Sequence, residues 1–512
     1  LARGVFQAEG APDLDAPISG RASLNVSETG ALLAADADLR AGRGEIGWTA
    51  DGERRLLQLE SARLQGSLDP AGDAVVIDRA SYVLGDNAAE DISGRLRVEP
   101  AAGGGVAAVE FDLAATGLSV AVPGKLPEPV TFERASGLGR VDVDERRLSV
   151  SQLSAAVFDA VIEGDVAIRS APEAEAESVS PAIEASLTMD GSVTPDEVLR
   201  FWPIDFGLGA RDWIDGYLHE ATLTDVRFEM ALEEGAVTEF GHVPDEQMRV
   251  EFKFRDARID YFPGLTELTD LEGEAVLTGD SFQVRAPRGK VGDIALSAGE
   301  VDMPKLNPKG QPAYFRGTGE GATADILALL DMEPLGFVSD FGLSPRSVDG
   351  TSVVDFEFSR PLRRSVPLEN VGYKAEAKIS DFGSPDLIVG APMEQGALTL
   401  SLDKSGIVAN GDVVVAGAPV RMTWVEEFFV DGPSTTLEVN GVLDAALRDS
   451  FGFATRSFLT GPVGVRAVAR GEGVQVSQAE IYADFADAEL DVSRIGWLKP
   501  EGEPASAVLT MS

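Results

Sequence analysis

The sequence predicts a mainly β protein: an elongated, curled antiparallel β-groove with short amphipathic helices at the boundaries of repeated units. Apolar and polar residues alternate along many short stretches, a pattern typical of half-buried strands. Three times such a stretch is followed by a glycine, at Gly191, Gly321 and Gly441, then by one short amphipathic helix, after which alternation resumes. Recurrence at a long period indicates similar units stacked in a line.

The clearest alternating stretch places Val250, Phe252 and Phe254 on one face, with a charged residue after each of them. The same alternation recurs at Val226, Phe228, Met230 and Leu232, at Val354, Phe356 and Phe358, at Val109, Phe111 and Leu113, and at Leu398, Leu400 and Leu402. Gly, Asp and Asn interrupt these runs about every ten residues, as hairpin turns require. We therefore expect an antiparallel meander.

Three helical regions are expected, near residues 195–219, 323–343 and 443–459. In the first, Val198, Phe201 and Trp202 share one face at helical spacing. Thr194 and Glu197 form a capping-box pattern at its start. Each helix has enough apolar surface to lie against a sheet, so we expect the helices to plug or bend the sheet at unit boundaries.

The recurrence divides the chain into four segments. We expect an N-terminal β-array over residues 1–180, a first repeat unit over 181–312 and a second over 313–433. Residues 434–512 would be a third unit that is cut short.

Composition excludes several classes of function. The 512 residues exceed the size at which one hydrophobic core stops growing. A net charge of −42 repels nucleic acid phosphates, so no nucleic-acid partner is expected. Without cysteine the chain has no disulfide, no thiol nucleophile and no cysteine metal site.

Catalytic signatures are also missing from the sequence. The chain has no phosphate-binding loop motif, no dinucleotide fingerprint and no serine nucleophile elbow. Its two histidines, His219 and His242, do not stand in a metal-ligand spacing. We therefore expect no enzyme activity, no cofactor and no metal.

The chain starts at Leu1 and contains no run of 18 apolar residues without charge. We expect it to be a fragment of a longer protein, in which a membrane anchor lies outside these 512 residues.

Several motifs resemble the central region of the large YhdP-type proteins of the AsmA-like superfamily. These motifs are Phe201-Trp202-Pro203, Gly209-Ala210-Arg211-Asp212-Trp213-Ile214, Ala221-Thr222-Leu223-Thr224-Asp225-Val226 and Ala257 to Leu265, with Leu271-Glu272-Gly273 behind them. The detailed resemblance covers residues 183–305, and a looser strand–helix–strand pattern covers most of the chain.

The resemblance implies a bridge-like lipid-transfer protein of the Gram-negative envelope. It implies a periplasmic β-groove, attached to the inner membrane through an anchor outside this fragment, that shields phospholipid acyl chains on their way to the outer membrane. Its partners would be phospholipid and other envelope proteins. The alternative is a periplasmic scaffold or assembly factor for outer-membrane proteins, without lipid transport.

A lipid groove would be lined by the apolar sides of the alternating strands. The expected lining residues are Phe228, Met230, Val250, Phe252, Phe254, Val354, Phe356 and Phe358. The same residues could instead form the core of a closed sandwich, because periodicity by itself does not distinguish a groove wall from a sealed core.

Overall fold

The computed structural model describes residues 13–28, 32–50, 53–69, 74–101, 105–170, 180–204, 206–237, 242–262, 264–333, 336–340, 344–363, 366–388, 391–450, 455 and 457–511. Strand makes up 67% of the structure and helix 10%, which confirms the mainly β class. The chain divides into two compact units. Unit 1 comprises Leu1–Ala257, Glu274–Gln283 and Lys305–Asn307, and unit 2 comprises Arg258–Gly273, Val284–Pro304 and Pro308–Ser512.

Unit 1 is built on an antiparallel sheet. Its strands are β1 (Asp13–Asp15), β2 (Ile18–Val26), β3 (Leu32–Ala41), β4 (Gly44–Ala50), β5 (Glu53–Leu68), β6 (Val75–Leu84), β7 (Asn87–Pro100), β8 (Val106–Val120), β9 (Val130–Asp142), β10 (Arg147–Val157), β11 (Asp159–Arg169), β12 (Ala182–Val193) and β13 (Leu218–Leu232). From β5 to β13 each strand pairs with the next in sequence. Strand β5 also pairs with β3 and β4, which in turn pair with β2 and β1.

Three strands contain residues of both units: β14 (Met248–Ile259), β15 (Leu268–Thr278) and β16 (Phe282–Val291).

Unit 2 continues with β17 (Ile294–Met303), β18 (Pro312–Ala322), β19 (Asp349–Pro361), β20 (Gly372–Ile388), β21 (Ala391–Asp403), β22 (Gly406–Val415), β23 (Ala418–Glu427), β24 (Thr435–Leu443), β26 (Val463–Glu472), β27 (Gln475–Asp484) and β30 (Ser506–Met511). These strands also pair in chain order and antiparallel. A separate small sheet holds β25 (Leu459–Thr460), β28 (Glu489–Val492) and β29 (Trp497–Lys499). In the described part of each unit, no ladder joins the first strand to the last, so neither sheet closes into a barrel.

The helices lie in the three expected regions. They form three groups that recur at intervals of six strands. They are α1 (Pro195–Phe201) and α2 (Leu208–Tyr217) after β12, α3 (Thr323–Leu330) and α4 (Phe337–Asp340) after β18, and α5 (Ala445–Ser450) after β24. The strands on either side of each helical insertion pair with each other. Each helical insertion therefore leaves the pairing of the two sheet strands beside it intact.

The helical regions are shorter than the sequence predicts. The first breaks after Phe201, because Pro203 disfavours helical backbone at Trp202, which is extended. Thr194 and Glu197 form the predicted capping box at its start. Of the predicted second and third regions, residues 334–335, 341–343, 451–454 and 456 lie outside the described residues. Leu459, predicted to be helical, lies in β25.

Bulges interrupt many strands at positions where a residue other than glycine has a left-handed backbone. Gln152, Asp225, Ala298, Asp381 and Gln395 have φ between 49° and 53°. The pairing register shifts beside each of them. Because a bulge bends its strand and increases the local twist, this recurrence bends strand after strand in both units.

Two glycines of unit 1 give a matched test of this backbone geometry. Gly164 has φ +143°, and a Cβ there would lie 2.0 Å from the backbone oxygen of Ser186 on β12. We expect Gly164→Ala to destabilise unit 1 by about 2–4 kcal/mol in denaturant unfolding, because β11 and β12 would have to separate. In Gly209→Ala the new Cβ meets nothing within 4 Å, so a gain of up to about 1 kcal/mol is expected from helix propensity. Equal effects of the two changes would contradict the described pairing.

Candidate functional site

An apolar face crosses seven consecutive strands of unit 1. Residues directly opposed in an antiparallel ladder lie on the same face, so the register traces rows across the sheet. One row runs through Val98, Val109, Val141, Leu148, Ile168, Ile183 and Leu232. The next runs through Leu96, Phe111, Gly139, Val150, Val166, Ala185 and Met230. At a strand spacing of about 4.8 Å, these rows extend on the order of 30 Å.

Unit 2 carries a longer apolar row of the same kind. It runs through Gly319, Val354, Ala377, Leu400, Ala409, Trp424, Leu437, Ala469, Ala479 and Met511. A parallel row contains Ile379, Leu398, Gly411, Met422, Val439, Ala467, Ile481 and Leu509. None of the rows traced in the two units contains a charged residue, so in each unit apolar residues follow one another across several strands on one face.

The predicted lining residues lie on strands and are mostly half-buried. Phe228 and Met230 lie on β13, where they oppose Leu187 and Ala185 of β12. The half-buried residues are Phe228, Met230, Val250, Phe252, Val354, Phe356 and Phe358, and Phe254 is buried. Half-buried side chains of this kind can form the wall of a groove. Contact between these residues and a ligand stays a prediction.

Aromatic rings lie flat on this face over glycines. A Cβ on Gly139 would lie 2.1 Å from Cζ of Phe111, and a Cβ on Gly317 would lie 2.9 Å from Cζ of Phe356. The rings of Phe315 and Phe358 stack with centroids 4.4 Å apart. Glycine thus leaves room for a ring to cover the backbone, which keeps the apolar surface continuous at positions without a side chain.

In the described part of unit 1, the helices cover one end of the apolar face. We call this the helix end, where the chain passes from β12 through α1 and α2 into β13, and the opposite end of the strands the far end. The Phe201 ring of α1 contacts the rings of Phe132 and Phe158, at centroid distances of 6.4 and 5.6 Å. Apolar residues at this end are buried, namely Val130, Ala155, Val157, Ala160, Val193, Leu199 and Ala221.

Unit 2 repeats this arrangement. Leu327 of α3 and Leu447 of α5 both pack against one buried cluster at the helix end of its strands. The cluster contains Val348, Phe382, Met393, Leu398, Val413, Val415, Ala418, Val420 and Met422. Because six strands separate the two insertions, an antiparallel order brings both to the same end of the sheet.

The far end of the apolar face is more exposed. In unit 1, Val98, Val141 and Leu148 are 48%, 38% and 39% exposed, and Leu232 is the buried exception in their row. In unit 2, Phe358, Tyr373, Leu402 and Trp424 are half-buried. A contiguous patch of solvent-exposed apolar side chains is typical of a binding surface for a protein, a membrane or a ligand. In unit 1 the apolar face is therefore covered at the helix end and more exposed at the far end, and in unit 2 these far-end residues remain half-buried.

The opposite face carries ion pairs. In unit 1, Arg140 contacts Glu99 at 2.8 Å and Glu110 at 3.2 Å. Hydrogen bonds from Arg140 hold the pKa of Glu99 below its usual value. Near Phe252, Lys253 pairs with Asp225 at 2.8 Å on this face. These pairs are solvent-exposed and stabilise weakly, but they distinguish a charged, solvated face from the apolar one.

Two polar groups on the apolar face were missed by sequence reasoning. Glu426 is only 2% exposed on β23, where it opposes Ile407 and accepts a hydrogen bond from the Thr435 hydroxyl. Arg360 follows Phe358 on the same side of β19, near the far end. Each of them lies two residues after an apolar residue of the same strand. This spacing was the sequence signal that could have assigned them to the apolar face.

Within the described residues, no helix combines the length and apolarity needed to cross a bilayer. A family model described as YhdP protein matches residues 88–494 of the chain. No curated protein matches, and no solved structure does.

Proposed function

The chain belongs to the YhdP family, and from that premise we propose that its apolar sheet faces shield phospholipid acyl chains in the periplasm. The family is a transport or scaffold family associated with the cell envelope. The observation that carries the proposal is an apolar face that runs across many strands, is covered by helices at one end and, in unit 1, is more exposed at the other.

The physical basis is the match between this face and a lipid. Acyl chains that lie on an apolar surface are removed from water. This burial stabilises the bound lipid by about 25 cal/mol per Å² of apolar surface. The headgroup keeps its hydration if it stays at the accessible far end. No bond has to form or break, so the function needs no catalytic residue or cofactor.

Movement along such a face also follows from its composition. Apolar contacts are non-directional, so neighbouring positions along a row have similar affinity for an acyl chain. A lipid can then pass from one position to the next with only small barriers. We propose that the chain is a segment of such a conduit between the inner and outer membranes, attached to the inner membrane through a part of the protein outside these residues.

A photocrosslinking amino acid at Phe252 and at Lys253 tests this proposal. The two positions are adjacent on β14, but Phe252 is on the apolar side and Lys253 is exposed. We expect phospholipid to be captured at Phe252 in cells and at least tenfold less at Lys253, measured by mass spectrometry of the crosslinked protein. Equal capture at both sites, or none at Phe252, would contradict the groove and favour a scaffold for outer-membrane proteins.

A further inference from the structure

At the far end of unit 2, the apolar side of β19 ends next to cationic side chains. Along β19, Val354, Phe356 and Phe358 alternate on the apolar side, and Arg360 occupies the next position on that side. Arg360 is half-buried and opposes Ala313 of β18, which is fully buried. The change from phenyl rings to a guanidinium within one strand marks the boundary between an apolar and an anion-attracting surface.

A second arginine lies beside the first. Arg360 donates a hydrogen bond from Nη2 to the backbone oxygen of Arg363 at 2.7 Å. Arg363 lies against Gly310, where a Cβ would come within 2.8 Å of Nε. In the described part of unit 2, no carboxylate forms an ion pair with either guanidinium.

Gly310 and the loop after β19 form a small cavity beside Arg363. Its volume is about 220 Å³, and its lining consists of Gly310, Pro361, Arg363, Val366, Pro367 and Asn370. Lys404, from the β21–β22 turn, donates to the backbone oxygen of Glu369 at 3.0 Å, which places a third cation beside this loop. Arg363 and Asn370 therefore supply guanidinium and amide donors in the cavity lining, and the Lys404 ammonium group lies beside the same loop.

A phenol lies beside the aromatic rings of β19. Tyr373 of β20 directly opposes Phe358. Burial, and then the Asp403 carboxylate, raise the pKa of Tyr373, so its hydroxyl remains a hydrogen-bond donor. The Asp403 carboxylate itself accepts hydrogen bonds from the backbone and side chain of Ser405.

We propose that this cluster binds the phosphate of a phospholipid headgroup, with Arg360 and Arg363 as its principal ligands. The inference rests on the proposed function, because it places acyl chains on the adjoining Phe356 and Phe358. Guanidinium groups form forked, charge-assisted hydrogen bonds with phosphate oxygens. In a chain with a net charge of −42, such a local positive cluster also attracts an anion that the rest of the surface repels.

The test compares two double variants of unit 2 with equal charge changes. Arg360→Gln/Arg363→Gln removes the proposed ligands. Arg316→Gln/Arg421→Gln removes two exposed arginines that pair with carboxylates on the charged face. Binding to the purified chain is measured for dioleoylphosphatidylglycerol, for dioleoylglycerol, which lacks the phosphate, and for glycerol 3-phosphate, which lacks the acyl chains.

We expect Arg360→Gln/Arg363→Gln to weaken phosphatidylglycerol binding at least tenfold and to change dioleoylglycerol binding less than twofold. The control variant should bind both lipids like the wild type. Equal losses for both lipids, or no loss, would overturn the headgroup site and leave the proposed function standing. If glycerol 3-phosphate bound as tightly as the phospholipid, the cluster would be a site for free organic phosphate, which also overturns it.

The remaining outcome separates the two proposals. If the wild type bound neither lipid, the proposed function would fail, and the headgroup site with it. Should the double variant unfold, Arg363→Gln is the substitute, because Arg363 is exposed and its replacement by the shorter glutamine disturbs little packing. That variant should show the same selective loss for phosphatidylglycerol, at least threefold, and an unchanged affinity would overturn the site.

Discussion

Phe252→Asp is expected to stop lipid delivery while the protein stays folded. Phe252 is half-buried on the apolar side of β14. A carboxylate there can keep water around it if the wall is accessible, so the loss of stability should not exceed about 2 kcal/mol. Acyl chains, however, would have to pass a charge. We expect at least a tenfold fall in phospholipid transport to the outer membrane in cells, with near-normal protein levels.

Val157→Asp is the matched change at the sealed end. Val157 is fully buried at the helix end of β10 in the same unit. A carboxylate there would be removed from water, so a loss of about 4 kcal/mol or more is expected in denaturant unfolding. Phe252→Leu should preserve both stability and transport. If Phe252→Asp unfolded the protein as Val157→Asp does, the apolar face would be a closed core.

Arg448→Met should destabilise unit 2 more than Arg421→Met or Arg448→Lys. Arg448 is only 3% exposed and donates to the backbone oxygens of Leu443, Leu459 and Gly461 and to the Thr455 hydroxyl. These contacts fasten α5 between β24 and β25. Methionine would leave the buried carbonyl groups without partners, which costs about 3–5 kcal/mol in total.

The control for this change is Arg421→Met. Arg421 is an exposed arginine of β23 whose partner is Asp412, so its replacement should cost less than about 1 kcal/mol. Arg448→Lys should fall between the two, because lysine keeps the positive charge and three donors but lacks the planar guanidinium that donates from Nε and from both Nη atoms. Denaturant unfolding measures all three variants. A loss below about 1 kcal/mol for Arg448→Met would show that α5 is held by packing alone.

Local chemistry explains which features the sequence determined. Alternation with period two fixed the strands and the sidedness of Phe252, Phe356 and their neighbours, because side chains on a strand must alternate between faces. Thr194, Pro195 and Glu197 fixed the start of α1 through backbone hydrogen bonds within one turn. The recurrence of helices after every sixth strand was visible as the spacing of Gly191, Gly321 and Gly441.

Only the tertiary structure decided how far the apolar face is covered. Phe252 and Val157 have equivalent patterns in sequence, yet one is half-buried and the other fully buried under the helix end. Their difference depends on where α1 packs, which involves residues distant in sequence. The position of Arg360 opposite Ala313 and beside Arg363 is likewise a matter of register between strands and of the loop after β19. Alternation gives each residue its face, and packing between distant elements determines what that face meets.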